Sequence, residues 1–166
     1  GHHRFRVVSS DTLGIHGDFH DRLHSFRMPW TVRDQLVRAG DAVEAASGAR
    51  PRFFRPPLGH TSMTTVRGVR RAGVMLVGWS SRGFDGLRGR SVEACLRRVG
   101  RTLDDGVIVM LHDAAEFDDF EPAAVRGLPQ LLALLDDRGL TSVGLDALLG
   151  EPAAPARPGL PRNRTG

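Results

Sequence analysis

The 166-residue chain has 40% apolar and 25% charged residues, the composition of an ordinary globular domain with its own core. Its formal net charge of +4 comes from arginines that are dispersed among acidic residues, with no lysine present. This pattern argues against a nucleic-acid binder. The single cysteine, Cys95, excludes an internal disulfide, and no apolar run is long enough to span a membrane.

The first half of the chain predicts strands and helices in alternation. The apolar stripe of the first helix repeats at helical spacing, and the run at 74–79 is unbroken, as in a strand that is buried on both faces. The predicted elements are a strand at 12–15, a helix capped by Thr31 and ended by Gly48, a strand at 51–54, a helix at 62–72 and a strand at 74–79.

The second half continues the alternation. Its predicted elements are a helix from a Ser91 cap through 103, a strand at 107–111, a helix at 122–138, a strand at 140–143 and a helical turn at 146–149. The strand at 107–111 is the most apolar of these. Residues 1–150 are therefore expected to form one domain, and residues 151–166, rich in Pro, Ala, Arg and Gly, a disordered tail.

Polar residues follow the predicted strands. His16, Arg55, Asp85 and His112 each lie at the carboxyl end of a strand or in the loop after it. Alternating strands and helices form a parallel sheet with helices outside it. In such folds the chemistry collects at the carboxyl ends of the strands. These four residues are therefore candidates for a functional site.

Each candidate also has a structural interpretation. His16 and His20 are four residues apart and suit one metal ion, but they also suit surface histidines. Arg55 suits a structural salt bridge. Asp85 suits a plain turn, and His112 a strand-end histidine that hydrogen-bonds to the backbone.

The order and type of these residues resemble the polysaccharide deacetylase family, also called the NodB-homology or carbohydrate esterase family 4 domain. The segment from His16 to His20 resembles the family motif His-Ser/Thr-x-x-His, with Gly17 where the family has a hydroxyl. The remaining similarities are Arg55-Pro56-Pro57-Leu58-Gly59 to Arg-Pro-Pro-x-Gly, Asp85 to the acidic residue that follows a strand, and Leu111-His112-Asp113 to Leu-His-Asp.

The resemblance implies a divalent metal, zinc or alternatively cobalt, nickel or manganese, held by His16 and His20. It also implies that Arg55 orients a base aspartate. That aspartate belongs to the family's first motif, Thr-Phe-Asp-Asp-Gly-Pro, which also supplies a third metal ligand. No such motif precedes His16. The expected fold is therefore a distorted (β/α) barrel of parallel strands with outer helices, whose first strand and helix lie upstream of Gly1.

The same resemblance assigns roles in the second half of the chain. It implies that His112 is the general acid and that Asp85 orients His112 or raises its pKa. It further implies that Leu111, Trp79 and Pro57 contact the substrate, the first two by lining a pocket for the acetyl methyl group.

The function implied is a metal-dependent hydrolase that removes N-acetyl groups from amino-sugar polymers or glycoconjugates. Its partner would be an N-acetylated glycan or glycolipid, without nucleic acid and without a transmembrane segment in this chain. Family members suggest the cell envelope or the extracellular space. The alternative is a catalytically incompetent fragment, or a non-catalytic relative that binds glycans.

Overall fold

The computed structural model describes residues 12–17, 24–114 and 120–150 of the chain. These residues form two compact units. The first unit comprises the described residues up to Gly78 and those from Gly144 onward, and the second comprises residues 79–143. The predicted tail at 151–166 lies outside the described residues, as does His20. Within the described ranges, no helix has the length and apolar character needed to cross a membrane.

Both units combine parallel strands with helices, which confirms the predicted α/β class. In chain order the strands are β1 (Gly14–Ile15), β2 (Phe53–Phe54), β3 (Met75–Leu76), β4 (Ser81–Arg82) and β5 (Val109–Met110). The α-helices are α1 (Pro29–Ser47), α2 (Met63–Ala72), α3 (Val92–Gly100), α4 (Ala123–Asp137) and α5 (Leu145–Leu148). Short 3-10 helices lie at His24–Phe26 and Pro57–Gly59.

The first unit is built on a three-stranded parallel sheet in the order β1-β2-β3. Gly14 pairs with Phe53, and Phe53 pairs with Met75. Parallel neighbours need a long crossover, which α1 and α2 provide. The two helices and the sheet bury one apolar cluster, whose members are Ile15, Val32, Leu36, Ala39, Phe54 and Val69.

Local signals set the ends of α1 and α2. Helix α2 begins where the Ser62 hydroxyl accepts the Thr65 N–H, and it ends at Gly73, whose φ of 71° is left-handed. Both ends were predicted. The prediction for the start of α1 was wrong, because Pro29 occupies the first helical turn and the helix starts two residues before Thr31. Proline suits that position because its missing N–H would have no partner within the helix.

The second unit pairs β4 with β5 in parallel, Ser81 opposite Val109. Helices α3 and α4 pack together over a core that contains Cys95, Val99, Leu103, Ala123 and Leu131. Ser91 caps α3 as predicted, its hydroxyl accepting the Ala94 N–H. The cap fixes the start of α3, which contributes Cys95 and Val99 to this core.

Other predictions differ from the structure in where an element ends or in whether it forms. The helix predicted to run through 103 ends at Gly100, where Thr102 turns away and its hydroxyl bonds to that of Ser81 at 2.6 Å. The strand predicted at 140–143 is absent from this described stretch, because the Leu140 N–H donates to the Leu135 carbonyl and closes the end of α4. Strand β3 covers only two residues of the run at 74–79, and Met75 is exposed. Strand β5 is likewise shorter than the predicted 107–111.

Candidate functional site

His16 follows β1 directly, and its imidazole is held by the next strand. Its Nδ1 lies 2.7 Å from the carbonyl oxygen of Arg55. The backbone pairing explains this contact, since the Arg55 N–H donates to the Ile15 carbonyl at 2.9 Å. A carbonyl can only accept, so Nδ1 carries the proton and donates it. The Nε2 lone pair of this exposed imidazole is then in the form that binds a metal.

Arg55 is half-buried at the carboxyl end of β2, and burial lowers the pKa of its guanidinium. Its Nη2 makes a long, 3.4 Å hydrogen bond to the Gly78 carbonyl. Pro56 holds an extended backbone, and the Gly59 N–H returns to the Pro56 carbonyl at 3.0 Å. Pro57 is buried, and its predicted contact with substrate stays a prediction.

Asp85 and His112 form the best-defined polar pair of the second unit. Asp85 is completely buried, and its Oδ2 accepts the His112 backbone N–H at 2.7 Å. Its Oδ1 lies 3.2 Å from Nδ1 of the same histidine. The two residues meet because β4 and β5, which they follow, are paired. Asp85 is therefore not a plain turn aspartate, since its side chain holds His112 by backbone and ring together.

The pair shifts the titration of both of its members. Burial acts to raise the pKa of Asp85, but the hydrogen bonds and charge of His112 outweigh it and the pKa is lowered. The hydrogen bond that His112 Nδ1 donates to Asp85 raises the pKa of His112 against the opposing effect of burial. The charge of Asp113 also raises this pKa. His112 is thus biased towards the imidazolium, with Nδ1 donating to Asp85 and Nε2 able to donate elsewhere.

The two remaining predicted residues also lie in the second unit. Leu111 is half-buried and packs against the core cluster around Cys95 and Val99, so it belongs partly to that core. Trp79 is half-buried as well.

Gly86 is a site residue that the sequence did not reveal. A Cβ built on it would lie 3.0–3.2 Å from three ring atoms of His112. A side chain at this position would therefore press on the imidazole. The sequence could not reveal this role, because a glycine in the sequence can mark either a turn or a close approach.

The donor set for a metal is only partly within the described residues. Among residues 12–17, 24–114 and 120–150, no group of three or more His, Cys, Asp or Glu side chains could hold a metal ion. His16 has the tautomer and the exposure of a ligand. Its predicted partner, His20, lies outside those ranges, so the described residues supply one suitable ligand.

Comparison with known proteins agrees with this architecture. Residues 6–77 match the family model described as polysaccharide deacetylase. A bifunctional xylanase/xylan deacetylase of Cellvibrio japonicus is 27% identical over 156 residues, which are 90% of this chain and 22% of that protein. Residues 6–77 of the chain are therefore similar to polysaccharide deacetylases. The chain spans only about a fifth of the length of the Cellvibrio japonicus relative.

Solved structures of carbohydrate esterase family 4 share the fold of this chain. An acetyl xylan esterase of Clostridium thermocellum, in complex with a cobalt ion, has a TM-score of 0.72 at 25% identity, covering 84% of this chain and 65% of that one. A family 4 pseudoenzyme of Bacillus anthracis has a TM-score of 0.71 at 24% identity, covering 82% of this chain and 45% of that one. The second likeness concerns the fold alone.

Proposed function

We propose that this chain belongs to a metal-dependent hydrolase that removes N-acetyl groups from amino-sugar polymers or glycoconjugates. The observation that supports this most is the Asp85–His112 pair, a buried carboxylate that holds an imidazole at its Nδ1. Removal of an acetyl group from nitrogen needs a proton on the leaving amine. An imidazolium with an available Nε2 is suited to supply it.

His112 is assigned as this general acid. Its raised pKa keeps more of the imidazole protonated near neutral pH than an ordinary histidine would be. Asp85 fixes the ring so that Nδ1 faces the carboxylate and Nε2 carries the proton to be donated. After donation, a neutral imidazole with its remaining proton on Nδ1 still bonds to Asp85.

We assign His16 and His20 to a divalent cation, zinc or an alternative such as cobalt, nickel or manganese. The donated Nδ1–H of His16 supports this assignment, since metal-binding histidines commonly fix their second nitrogen on a carbonyl. When bound, such a cation would polarise the acyl carbonyl and acidify a water molecule. Arg55 is assigned to orient a carboxylate base, with its half-buried guanidinium as donor.

Metal binding can be tested without activity. Isothermal titration of the chelator-treated chain with Zn²⁺ is expected to give one site, which His16→Ala and His20→Ala each weaken by about 10-fold or more. His60→Ala is the matched control, because His60 is exposed and has no assigned role. Equal affinity in all four proteins would remove the assignment.

Activity is tested by acetate release from N-acetylated chito-oligosaccharides in the presence of Zn²⁺ or Co²⁺. We expect His112→Ala to lower kcat by about 100-fold or more, since a general acid contributes on that scale. Release from acetylated xylan is measured in parallel. An O-acetyl ester substrate is the second candidate, favoured by the xylan deacetylase and acetyl xylan esterase among the similar proteins.

The alternative is a domain that binds glycan without hydrolysing it. It is favoured by the family 4 pseudoenzyme whose fold this chain shares. Glycan binding that survives removal of metal, with no acetate released from either substrate, would support this alternative and overturn the hydrolase proposal.

A further inference from the structure

The residue before Asp85 has an unusual backbone conformation. Phe84 has a φ of 53°, in the left-handed region, and among the described residues it shares a positive φ with one other non-glycine residue, Leu58. Bulky side chains disfavour this region, so surrounding contacts must hold the conformation in place. Such strain tends to persist where function requires a fixed geometry.

Two arginines hold the Phe84 ring. The guanidinium carbon of Arg82 lies over the ring at 4.0 Å from its centroid, and that of Arg98 lies over it at 4.4 Å. Both distances are well within the range of a cation–π contact. Arg82 belongs to β4 and Arg98 to α3, so the ring is held by two elements of the second unit. We call Arg82, Phe84 and Arg98 the arginine clamp.

The clamp acts on the direction of the next side chain. The φ and ψ of residue 84 decide whether the Asp85 carboxylate points inward, where it is completely buried and bonds to His112 at 2.7 Å and 3.2 Å. Gly83, on the other side of Phe84, packs closely against Cys95, because a Cβ there would overlap Sγ. Gly86 is similarly tight against the His112 ring.

We propose that Phe84 is a positioning residue for His112: the arginine clamp holds the left-handed backbone at Phe84 and thereby keeps the Asp85 carboxylate on the imidazole. Phe84 itself is not assigned a contact with substrate. The effect on the Asp85–His112 pair stands on the geometry of the second unit, whereas its catalytic consequence rests on the proposed function.

The test is the pKa of His112, measured by NMR titration of its ring resonances and assigned with a His112→Gln variant. Among the described residues, Asp85 and Asp113 are the carboxylates that act on this imidazole. Phe84→Asn is the decisive variant, because asparagine tolerates the left-handed region but removes the ring. We expect the pKa of His112 to fall towards that of an imidazole without a carboxylate partner. Phe84→Tyr keeps an aromatic ring under both guanidiniums and should therefore retain the His112 pKa of the parent chain.

Leu58→Asn is the matched control. It makes the same replacement at the other left-handed position, which lies in the first unit. It should leave the pKa of His112 unchanged. Arg98→Gln is a milder second variant on an exposed helix position, and it should shift the pKa in the same direction by less. If Phe84→Asn does not fold, the His112 pKa of Arg98→Gln tests the proposal instead.

An unchanged His112 pKa in the folded Phe84→Asn protein would overturn the proposal, as would an unchanged pKa in Arg98→Gln should Phe84→Asn not fold. If the parent chain releases acetate, kcat of Phe84→Asn should fall by about 10-fold with KM unchanged. If the parent is inactive, the NMR result still decides the positioning role, so failure of the proposed function and failure of this inference are separate outcomes.

Discussion

Replacing Asp85 by asparagine removes the buried charge that faces His112 and preserves the shape of the side chain. The asparagine oxygen can still accept the His112 backbone N–H, which Asp85 Oδ2 accepts at 2.7 Å. The amide NH₂ would then face Nδ1 of the ring, where Oδ1 now lies at 3.2 Å. That group donates, so it favours a neutral imidazole whose proton is on Nε2. The variant therefore isolates the charge of the pair.

The magnitude follows from the distance and the exposure. Two unit charges separated by 3.2 Å attract by about 5 kcal/mol at an effective dielectric of about 20, and by about 1.3 kcal/mol in water. Because the His112 side chain is 46% exposed, solvent screens the pair and the value lies near the lower limit. We expect a loss of about 1–2 kcal/mol of unfolding free energy where both groups are charged.

The sign of the pH dependence follows from the two pKa shifts. His112 has a raised pKa, so its contribution is complete below its ordinary value of 6.5 and is lost as pH rises through the folded-state pKa. Asp85 has a lowered pKa, so its contribution is complete above 3.8 and is lost as pH falls through the folded-state pKa. The pair therefore stabilises the fold most between these two ordinary values.

Urea unfolding of the parent and Asp85→Asn proteins at about pH 5.5 and about pH 9 measures this difference. We expect asparagine to destabilise by about 1–2 kcal/mol at the lower pH and by clearly less at the higher, where losing a buried charge offsets the lost hydrogen bond. Asp105→Asn, at an exposed turn position, is the control. An equal loss at both pH values would refute the reasoning, because the effect would then not depend on the imidazolium.

Two further predictions concern packing and capping. Gly83→Ala should lower the free energy of unfolding by about 1–3 kcal/mol, because the new Cβ would overlap Cys95 Sγ. Removing that sulfur with Cys95→Ala should restore part of the loss. Gly78→Ala is the control for the same urea assay and should have little effect, because its Cβ would meet no atom within 4 Å. Ser62→Ala should lower the free energy of unfolding by about 1 kcal/mol, because the hydrogen bond from the Thr65 N–H to the Ser62 hydroxyl is lost. An unchanged thermal midpoint in this variant would contradict the prediction.

Much of the local structure could be predicted because its causes lie within a few residues. The Ser91 cap occurs where it was predicted, and the helix predicted at 62–72 ends at Ala72 as expected. Strand β4 could not be predicted in this way. Its two residues, Ser81 and Arg82, are polar, and Ser81 is buried with its hydroxyl bonded to that of a threonine 21 positions away.

The candidate site was likewise only partly predictable from the sequence. His16, Arg55, Asp85 and His112 were expected at the carboxyl ends of strands, and the structure has each of them there. His20 lies outside the described residues, and its role stays a prediction. The Nδ1 contact of His16 with the Arg55 carbonyl was not foreseeable, since it depends on the pairing of β1 with β2 across 39 residues.

The sequence alone determined the α/β class, the Ser91 cap and the residue types available for chemistry, because periodicity and capping act over one or two turns of chain. Tertiary structure alone decided that Asp85 is buried beneath His112, that Gly86 must be small and that Phe84 adopts a left-handed backbone. Asp85 and His112 are 27 positions apart. Their meeting depends on which strands pair, and pairing is a property of the whole unit that no local stretch of sequence carries.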